Sequence, residues 1–288
     1  MVYHKIGLIF KPQRCQKCKR KLGKTSSVRL VRKETYLDKY VWRCCDKECR
    51  DIRNIREGNR LLEMFSKVEL KIILIYILTH FCFLTPSSAS NKTLNLGYKT
   101  IRDIANVISE WIVHYYNFEM EFKGKLGSNS SIVEVDESCF FRRKANKGRL
   151  LKQIWGLGIV ERETGRLFVE VVDRRDAKTL LPIIQKWVSV ETSYIVSNKW
   201  RAYNNLKKLH YNHETVNHSK YFINPENNLV HTQTIENRWG QMKSLMKRRG
   251  QISRVLFPQK IKEIAWRVMN RENIQAKLLE IIIRYNFY

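Results

Sequence analysis

The stretch Ser131–Phe141 constrains the fold of this chain more than any other part of the sequence. Within it, Ile132–Val135 is mostly apolar and β-branched, which favours a β-strand. Two acidic residues, Asp136 and Glu137, follow at once in a chain that is otherwise strongly basic. A carboxylate at the end of a buried strand is costly unless a basic side chain or a metal ion lies beside it. The stretch therefore predicts either a solvated acidic turn or a site where a carboxylate meets a cation.

The charge of the whole chain predicts a polyanionic partner. Its 288 residues include 54 lysines and arginines against 27 aspartates and glutamates, which gives a formal net charge of +27. This excess is spread along the chain, so the protein attracts polyanions. Nucleic acid is the expected partner, and an anionic membrane surface is the alternative. The 43% of hydrophobic residues suffices for a folded core, which excludes a wholly disordered protein.

Five of the seven cysteines lie near the amino terminus with the spacing of a zinc site. No signal peptide is visible at Met1–Phe10, which argues against a disulfide framework. Two thiol pairs on two hairpin turns, with short predicted strands between them, are typical of a zinc ribbon, in which the metal replaces a core. The alternative is a set of reduced thiols without a metal. The predicted ligands of this structural Zn²⁺ are Cys15, Cys18 and Cys49, with either Cys44 or Cys45 as the fourth.

Composition divides the chain into four predicted regions. In order they are a zinc ribbon at 1–55, a helical region at 56–120, a mixed α/β domain at 131–250 and a helical extension at 251–288. In the second region, Leu61–Leu84 and Leu94–Asn117 have helical periodicity on either side of a breaker cluster, Thr85–Asn91. In a basic protein this predicts a helix-turn-helix that enters a DNA groove, and an ordinary helical core is the alternative. The longest apolar run, Ile72–Thr85, is too short to cross a bilayer comfortably, so we expect no membrane association.

The region after Ser131 contains a predicted helix over Trp200–Leu209 and a predicted loop over Asn217–Val230. The large side chains of Trp155, Trp200 and Trp239 are predicted to pack in the core.

From Ser131 onward, predicted strands and helices alternate. Three strands, a helix, a strand, a helix, a strand and a helix is the order of the RNase H-like fold, a mixed sheet flanked by helices. In that fold the first strand, the end of the fourth strand and the last helix converge, which brings Asp136, Asn198 and Glu236 together. Oxygen ligands of this kind suit hard cations such as Mg²⁺ or Mn²⁺, and such ions support phosphoryl transfer.

Five sequence stretches of this domain together have the pattern of one known family. They are VEVDES (Val133–Ser138), WGLGIVERETGR (Trp155–Arg166), SNKWRAY (Ser197–Tyr203), HETVNHSKYF (His213–Phe222) and HTQTIENRW (His231–Trp239). They resemble a DDE transposase of the Merlin superfamily and its relatives from bacterial insertion sequences. The resemblance covers nearly all of Ser131–Arg249, and the helical and cysteine-rich regions before it resemble the DNA-binding part of the same family.

The resemblance implies that Asp136 and Glu236 are the first and third catalytic carboxylates and would ligate magnesium. Asn198 stands where the family has the second aspartate, and an amide brings no negative charge to a cation. An asparagine between a strand and a helix also has the ordinary role of capping the helix. The resemblance places His231 near Glu236, and an ordinary loop histidine is the alternative there and at His218.

Two basic segments are predicted to contact DNA phosphates, and a solvated charged surface is the alternative. One follows Asp136 in the sequence and the other continues the helix of Glu236. The residues are Arg142, Arg143, Lys144, Lys147 and Arg149 in the loop, and Lys243, Lys247, Arg248 and Arg249 in the helix.

Two functions follow from these residues. The first is a DNA transposase that nicks and joins transposon ends, with activity impaired by Asn198. The second is a domesticated or decayed derivative that binds DNA without cleaving it. The resemblance implies a homo-oligomer, because two transposon ends must be joined, and an RNA-binding protein on the same scaffold is a weaker alternative. We expect the nucleus in a eukaryotic host and the cytoplasm otherwise.

Overall fold

The computed structural model describes residues 9, 12, 14–19, 28–83, 87–141, 153–192, 194–217, 223–224, 227–249 and 252–286. The chain forms two compact units. The first comprises Met1–Trp111 together with Asn273–Tyr288, and the second comprises Ile112–Glu272. The two C-terminal helices therefore pack in different units. No helix among the described residues is long and apolar enough to cross a membrane.

The first unit contains a three-stranded antiparallel sheet. Its strands are β1 (Val28–Arg32), β2 (Tyr40–Cys44) and β3 (Ile52–Asn54), in that order. The sequence predicted short strands in the first two places, but it predicted only a polar link in the segment that contains β3. This third strand pairs Ile52 with Arg43, and β2 also pairs with β1, so β2 lies at the centre of the sheet.

The helices that the structure describes in the first unit are α1 (Arg60–Met64), α2 (Leu70–Cys82), α3 (Ser87–Leu94), the start of α4 (Tyr98–Phe122) and α8 (Ile274–Asn286). The single helix predicted over Leu61–Leu84 is wrong, because the chain leaves the helix between α1 and α2. The buried side chain of Arg56 donates hydrogen bonds to the carbonyls of Leu62, Phe65 and Val68. Asp38, which forms an ion pair with Arg56 at 2.6 Å, accepts from the amide of Leu70 and so begins α2.

The predicted breaker cluster Thr85–Asn91 is also wrong from Ser87 onward, because α3 begins there. Ser87–Leu94 has no strong breaker after Pro86, so serines that favour turns in isolation are tolerated in this short helix.

The second unit is built on a five-stranded mixed sheet in the order β6-β5-β4-β7-β8. Strands β4, β5 and β6 form an antiparallel meander, β7 runs parallel to β4, and β8 runs parallel to β7. The predicted mixed sheet flanked by helices is therefore confirmed. The strands are β4 (Ile132–Phe141), β5 (Ile154–Glu161), β6 (Leu167–Val172), β7 (Tyr194–Asn198) and β8 (His213–Val216).

Helices cover both faces of this sheet. On one face, α6 (Gln233–Arg249) packs on β4 and β5, while α7 (Phe257–Met269) packs on β6 and α6. On the other face, Trp187 of α5 (Ala177–Trp187) stacks on Phe168 of β6 with ring centroids 4.5 Å apart.

Two connections in the second unit differ from the prediction. The helix predicted over Trp200–Leu209 is wrong, because this segment forms two short 3₁₀ turns, Arg201–Tyr203 and Lys207–Leu209. The loop predicted over Asn217–Val230 is wrong where the structure describes it, because β9 (Ile223–Asn224) and β10 (Asn227–His231) pair in a hairpin. This hairpin delivers the chain to the start of α6.

Candidate active site and metal centre

Asp136 lies in the middle of β4 and points to the face covered by α6. Its strand partner in β5 is Gly158. The indole of Trp239 lies over that glycine, and its Nε1–H donates to Asp136 Oδ2 at 3.2 Å. A Cβ atom at Gly158 would lie only 2.4 Å from the Trp239 ring, so the close approach requires a glycine here. The sequence predicted that Trp239 packs on the sheet but missed its hydrogen bond to Asp136.

Asn198 lies at the end of β7, next to Asp136. Because β7 is parallel to β4 and pairs Ser197 with Val135, the following residue of each strand lies side by side. Asn198 Nδ2 donates to Asp136 Oδ1 at 3.0 Å. Its Oδ1 accepts from the amide of Trp200 at 3.0 Å, which forms a local turn rather than the cap of a regular helix.

Glu236 lies in the first turn of α6, where a negative charge is favoured by the helix dipole. Its Oε1 accepts from Thr232 Oγ1 at 2.8 Å. It shares a helical face with Trp239, three residues later, which contacts Asp136. The sequence-predicted trio therefore includes one direct contact, between Asn198 and Asp136, with Glu236 beside it.

The electrostatics of the site make Asp136 easier to protonate than a free aspartate. Burial raises the pKa of its carboxyl to about 7, and the negative charges of Glu137 and Glu236 add to the effect. The hydrogen bond from Trp239 opposes it. A cation beside Asp136 would reverse this balance, because it would favour the carboxylate.

The donor set fits a hard divalent cation only in part. Asp136 and Glu236 supply carboxylate oxygens, which Mg²⁺ and Mn²⁺ prefer. Asn198 turns its amide nitrogen, not its oxygen, toward Asp136, and its oxygen is already bonded to Trp200. The chain thus offers two carboxylates where three oxygen ligands were predicted.

Glu137 points to the opposite face of the sheet. Its buried carboxylate accepts a hydrogen bond from the hydroxyl of Tyr203 and lies 3.5 Å from Arg175 Nε. Burial raises the pKa of Glu137, while Tyr203 and Arg175 lower it. The Arg175 guanidinium lies between the rings of two tryptophans, at 4.0 Å from Trp155 and 4.4 Å from Trp200. These tryptophans were predicted as core residues, but both are only half-buried and hold the arginine.

The predicted phosphate contacts divide into two groups. Those of the loop (Arg142, Arg143, Lys144, Lys147 and Arg149) and His218 lie outside the described residues. Those of the helix lie on the second half of α6, where Lys243, Lys247 and Arg248 are exposed and Lys243 Nζ lies 5.7 Å above the Phe140 ring. Arg249 is the last residue of α6, and its side chain is not described.

Four cysteines of the first unit converge as predicted for a metal site. The sulfur atoms of Cys15, Cys18, Cys44 and Cys49 all lie within 4.8 Å of one another. The Cys15–Cys49 and Cys18–Cys44 sulfur distances are both 3.7 Å. Four sulfurs about 2.3 Å from a tetrahedral zinc ion would lie about 3.8 Å apart, so the cluster fits Zn²⁺.

The choice between the two adjacent cysteines is visible in the burial of their side chains. Cys44 is buried within the cluster, whereas Cys45 is exposed and outside it. Burial raises the pKa of the Cys44 thiol to about 12. A thiolate at this position therefore needs a cation, which a bound zinc ion would supply.

Comparison with known proteins relates the second unit to transposases. Residues 130–269 match the model of the ISXO2-like transposase domain. Over 120 residues the chain is 28% identical to a transposase-like protein of Haemophilus influenzae, a match that covers 41% of this chain and 94% of that protein. This part of the chain is similar to insertion-sequence transposases.

Solved structures of integrases overlap the chain over about half its length. A chain of the simian T-cell lymphotropic virus intasome is 16% identical with a TM-score of 0.33, covering 52% of this chain and 51% of that chain. The HTLV-2 integrase catalytic core in complex with magnesium is 14% identical with a TM-score of 0.31, covering 50% and 86%. The BIV integrase catalytic core is 14% identical with a TM-score of 0.31, covering 49% and 84%.

Proposed function

We propose that this chain is a DDE transposase-like protein, related to the Merlin superfamily, whose metal-dependent cleavage and joining of DNA is impaired by Asn198. The observation that carries the proposal is the hydrogen bond between Asn198 and Asp136 beside Glu236. The transposase-domain match over residues 130–269 supports it. Asp136 and Glu236 lie near enough for the charge of Glu236 to raise the pKa of Asp136, and an amide occupies the place of the third ligand.

In this proposal Asp136 and Glu236 hold Mg²⁺ or Mn²⁺. When bound, such an ion activates a water or a 3′-hydroxyl and stabilises the leaving oxygen of a phosphodiester. Trp239 orients the Asp136 carboxylate, and Thr232 orients that of Glu236. Asn198 adds no charge, so the cation is neutralised less than it would be by three carboxylates.

A second function is supported by the orientation of the Asn198 amide. Its nitrogen already satisfies Asp136 Oδ1, and burial together with nearby carboxylates raises the pKa of Asp136. Both features disfavour cation binding. On this reading the chain is a decayed or domesticated derivative that binds DNA without cleaving it.

Both functions require DNA binding. The net charge of +27 supports it, as do Lys243, Lys247 and Arg248 on the exposed surface of α6. We propose that the zinc ribbon and the helices after it bind transposon ends, that the loop residues 142–149 and Arg249 add phosphate contacts, and that the chain forms a homo-oligomer. The site of action would be the nucleus of a eukaryotic host or the cytoplasm of a bacterial one.

Nicking of a labelled duplex in Mn²⁺ tests the proposal. Asn198→Asp should raise the nicking rate at least about tenfold, because it restores a charged ligand. Asn205→Asp, which adds the same charge at an exposed position of the same unit, should leave the rate unchanged. Asp136→Ala should abolish nicking in the Asn198→Asp background.

Three outcomes separate the alternatives. Weak nicking by the wild type that Asp136→Ala abolishes supports an impaired enzyme. DNA binding without nicking, even in Asn198→Asp, supports the decayed derivative. Wild-type nicking that survives Asp136→Ala overturns the site assignment.

A further inference from the structure

Glu134 is a buried carboxylate that the proposed chemistry does not use. It lies two residues before Asp136 on β4, so both side chains point to the same face of the sheet. Its side chain is 0% exposed. A buried charge of this kind is costly unless it is paired and hydrogen-bonded. The contacts of Glu134 therefore indicate what its charge stabilises.

The two oxygens of Glu134 have different partners. Oε1 lies 2.6 Å from Arg162 Nε, at the end of β5. Oε2 accepts from the backbone amide of Ile235 at 2.7 Å. Ile235 is the third residue of α6, so its amide is one of the four at the helix start that have no partner within the helix. Glu134 thus caps α6 from the strand beneath it and places a negative charge at the positive end of the helix dipole.

Arg162 extends the same contacts to the strand before α6. Its Nη1 donates to Leu229 O at 2.7 Å, and its Nη2 donates to His231 O at 2.6 Å. His231 Nδ1 lies 3.2 Å from Arg162 Nη2 and 3.3 Å from the amide of Gln233, the first residue of α6. The planar guanidinium can reach all these acceptors at once, which a lysine could not.

Burial and the charge of Arg162 lower the pKa of His231, which keeps its ring neutral. A neutral ring can accept the Gln233 amide through Nδ1. His231 thus belongs to the start of α6, which agrees with the ordinary loop histidine given above as the alternative. The negative charges of Glu134 and Glu236 oppose this lowering of the His231 pKa.

We propose that Glu134 and Arg162 are positioning residues, which fix the first turn of α6 so that Glu236 faces Asp136. Glu236 directly follows Ile235, the residue held by Glu134. Asp136 is displaced from Glu134 along one strand by two residues, about 6.8 Å. The strand β4 therefore carries both Asp136, the first carboxylate of the site, and Glu134, which holds the helix on which Glu236 lies. Only the predicted effect on metal affinity rests on the proposed function, and the effect on the first turn of α6 is independent of it.

The test compares Glu134→Gln with Glu263→Gln. Glu263, on α7 of the same unit, is equally buried and is paired with Lys260 at 2.9 Å and Arg267 at 3.6 Å. Both substitutions remove a buried, paired charge without changing side-chain volume. The first readout is amide hydrogen exchange in peptides that cover residues 231–238. The second is Mn²⁺ affinity in the Asn198→Asp background.

We expect Glu134→Gln to speed exchange at the start of α6 at least about tenfold. We also expect it to weaken Mn²⁺ binding about 10- to 100-fold, as the loss of groups that orient metal ligands does. Glu263→Gln should change the exchange rate at the start of α6 and the Mn²⁺ affinity only as far as it lowers the global stability. Equal effects of the two variants on exchange and on affinity would overturn the proposal.

A third variant covers the case in which Glu134→Gln does not fold. Arg162→Lys keeps a positive charge beside Glu134 but loses the fork that reaches Leu229 and His231. It should speed exchange in the same peptides, and unchanged exchange would contradict the positioning role. If Asn198→Asp neither binds Mn²⁺ nor nicks DNA, the proposed function fails, while the exchange result still decides the role of Glu134 and Arg162.

Discussion

Asn198 donates a hydrogen bond from Nδ2 to Asp136 Oδ1 at 3.0 Å. This contact gives the amide a role opposite to that of a carboxylate in the same place. An amide nitrogen stabilises the charge on Asp136 directly, whereas a carboxylate would repel it and would need a cation between the two. The identity of residue 198 therefore determines whether this edge of the sheet is stable without a metal.

The substitution Asn198→Asp should make stability depend on divalent cations. Without them the variant should lose roughly 1–3 kcal/mol of unfolding free energy, because a partly buried hydrogen bond becomes a like-charge contact. With Mn²⁺ at 100 times its Kd, about 2.7 kcal/mol should be regained. Urea unfolding with Mn²⁺ or with EDTA measures both effects. The exposed control Asn205→Asp should show no such dependence, and a metal-independent Asn198→Asp would contradict the prediction.

The glycine beneath Trp239 should be intolerant of even one methyl group. Gly158→Ala would place its Cβ 2.4 Å from the indole and 2.9 Å from Ile235. Since backbone and ring must move apart, we expect a loss of about 1–3 kcal/mol. The shift in Trp239 should also change its fluorescence.

Gly240, one residue after Trp239 in the same helix, is the matched control. A Cβ there meets nothing within 4 Å. Gly240→Ala should therefore stabilise α6 by about 0.5–1 kcal/mol, through the lower backbone entropy of alanine in the unfolded chain. Equal destabilisation by both alanines would show that the close contact at Gly158 does not decide the effect.

The meander, the strands β7 and β8 that follow it and the approach of Asn198 to Asp136 were all predictable from the sequence. Alternation of apolar residues identifies strands well when one face is buried, and the element order then leaves few topologies. The orientation of the Asn198 amide was not predictable. This orientation depends on the amide of Trp200 and on the carboxylate of Asp136, and Asp136 is distant from Asn198 in the sequence.

The segments predicted incorrectly have identifiable causes. The break between α1 and α2 depends on the ion pair of Asp38 and Arg56, which are 18 residues apart. In the segment predicted as a helix after Asn198, the buried residues Tyr203 and Leu206 are followed by half-buried Leu209. This spacing of three suits a 3₁₀ turn better than an α-helix, and it was the signal that could have corrected the prediction.

The hydroxyl group of Tyr116 satisfies two backbone groups of the edge strand β6. Tyr116 Oη accepts from the amide of Val169 at 2.9 Å and donates to Leu167 O at 3.0 Å. Tyr116→Phe should cost about 1–3 kcal/mol, because it leaves two buried backbone groups without a partner. Tyr194→Phe, at a half-buried position of the same sheet, should cost much less. Urea unfolding measures the loss of unfolding free energy in both variants. Similar losses in the two would refute the role of the hydroxyl.

The two adjacent cysteines of the first unit should behave differently. Cys44→Ser should abolish stoichiometric zinc binding, since it removes one of four converging sulfurs. Cys45→Ser should retain one zinc ion per chain, because this side chain is exposed and outside the cluster. Elemental analysis of protein purified without added metal measures this. A wild-type protein without zinc, or loss of zinc in Cys45→Ser, would contradict the assignment.

The buried histidine His213 should make the second unit less stable in acid. Its Nε2 lies 2.8 Å from Ser197 Oγ, next to Asn198, and burial together with the charge of Lys207 lowers its pKa to about 4. Between this value and about 6.5 the unfolded chain binds more protons than the folded chain, so stability falls as the pH drops through that window. The full contribution is roughly 3 kcal/mol.

Unfolding free energies between pH 4.5 and pH 8 test this sign. His213→Gln keeps a donor toward Ser197 but cannot gain a proton, so its stability should depend less on pH than that of the wild type. His210→Asn changes an exposed histidine and should retain the wild-type slope. The difference between wild type and His213→Gln isolates the one residue, because the other titrating groups are common to both proteins. Parallel pH profiles for these two proteins would mean that His213 is protonated as easily in the folded unit as in the unfolded chain.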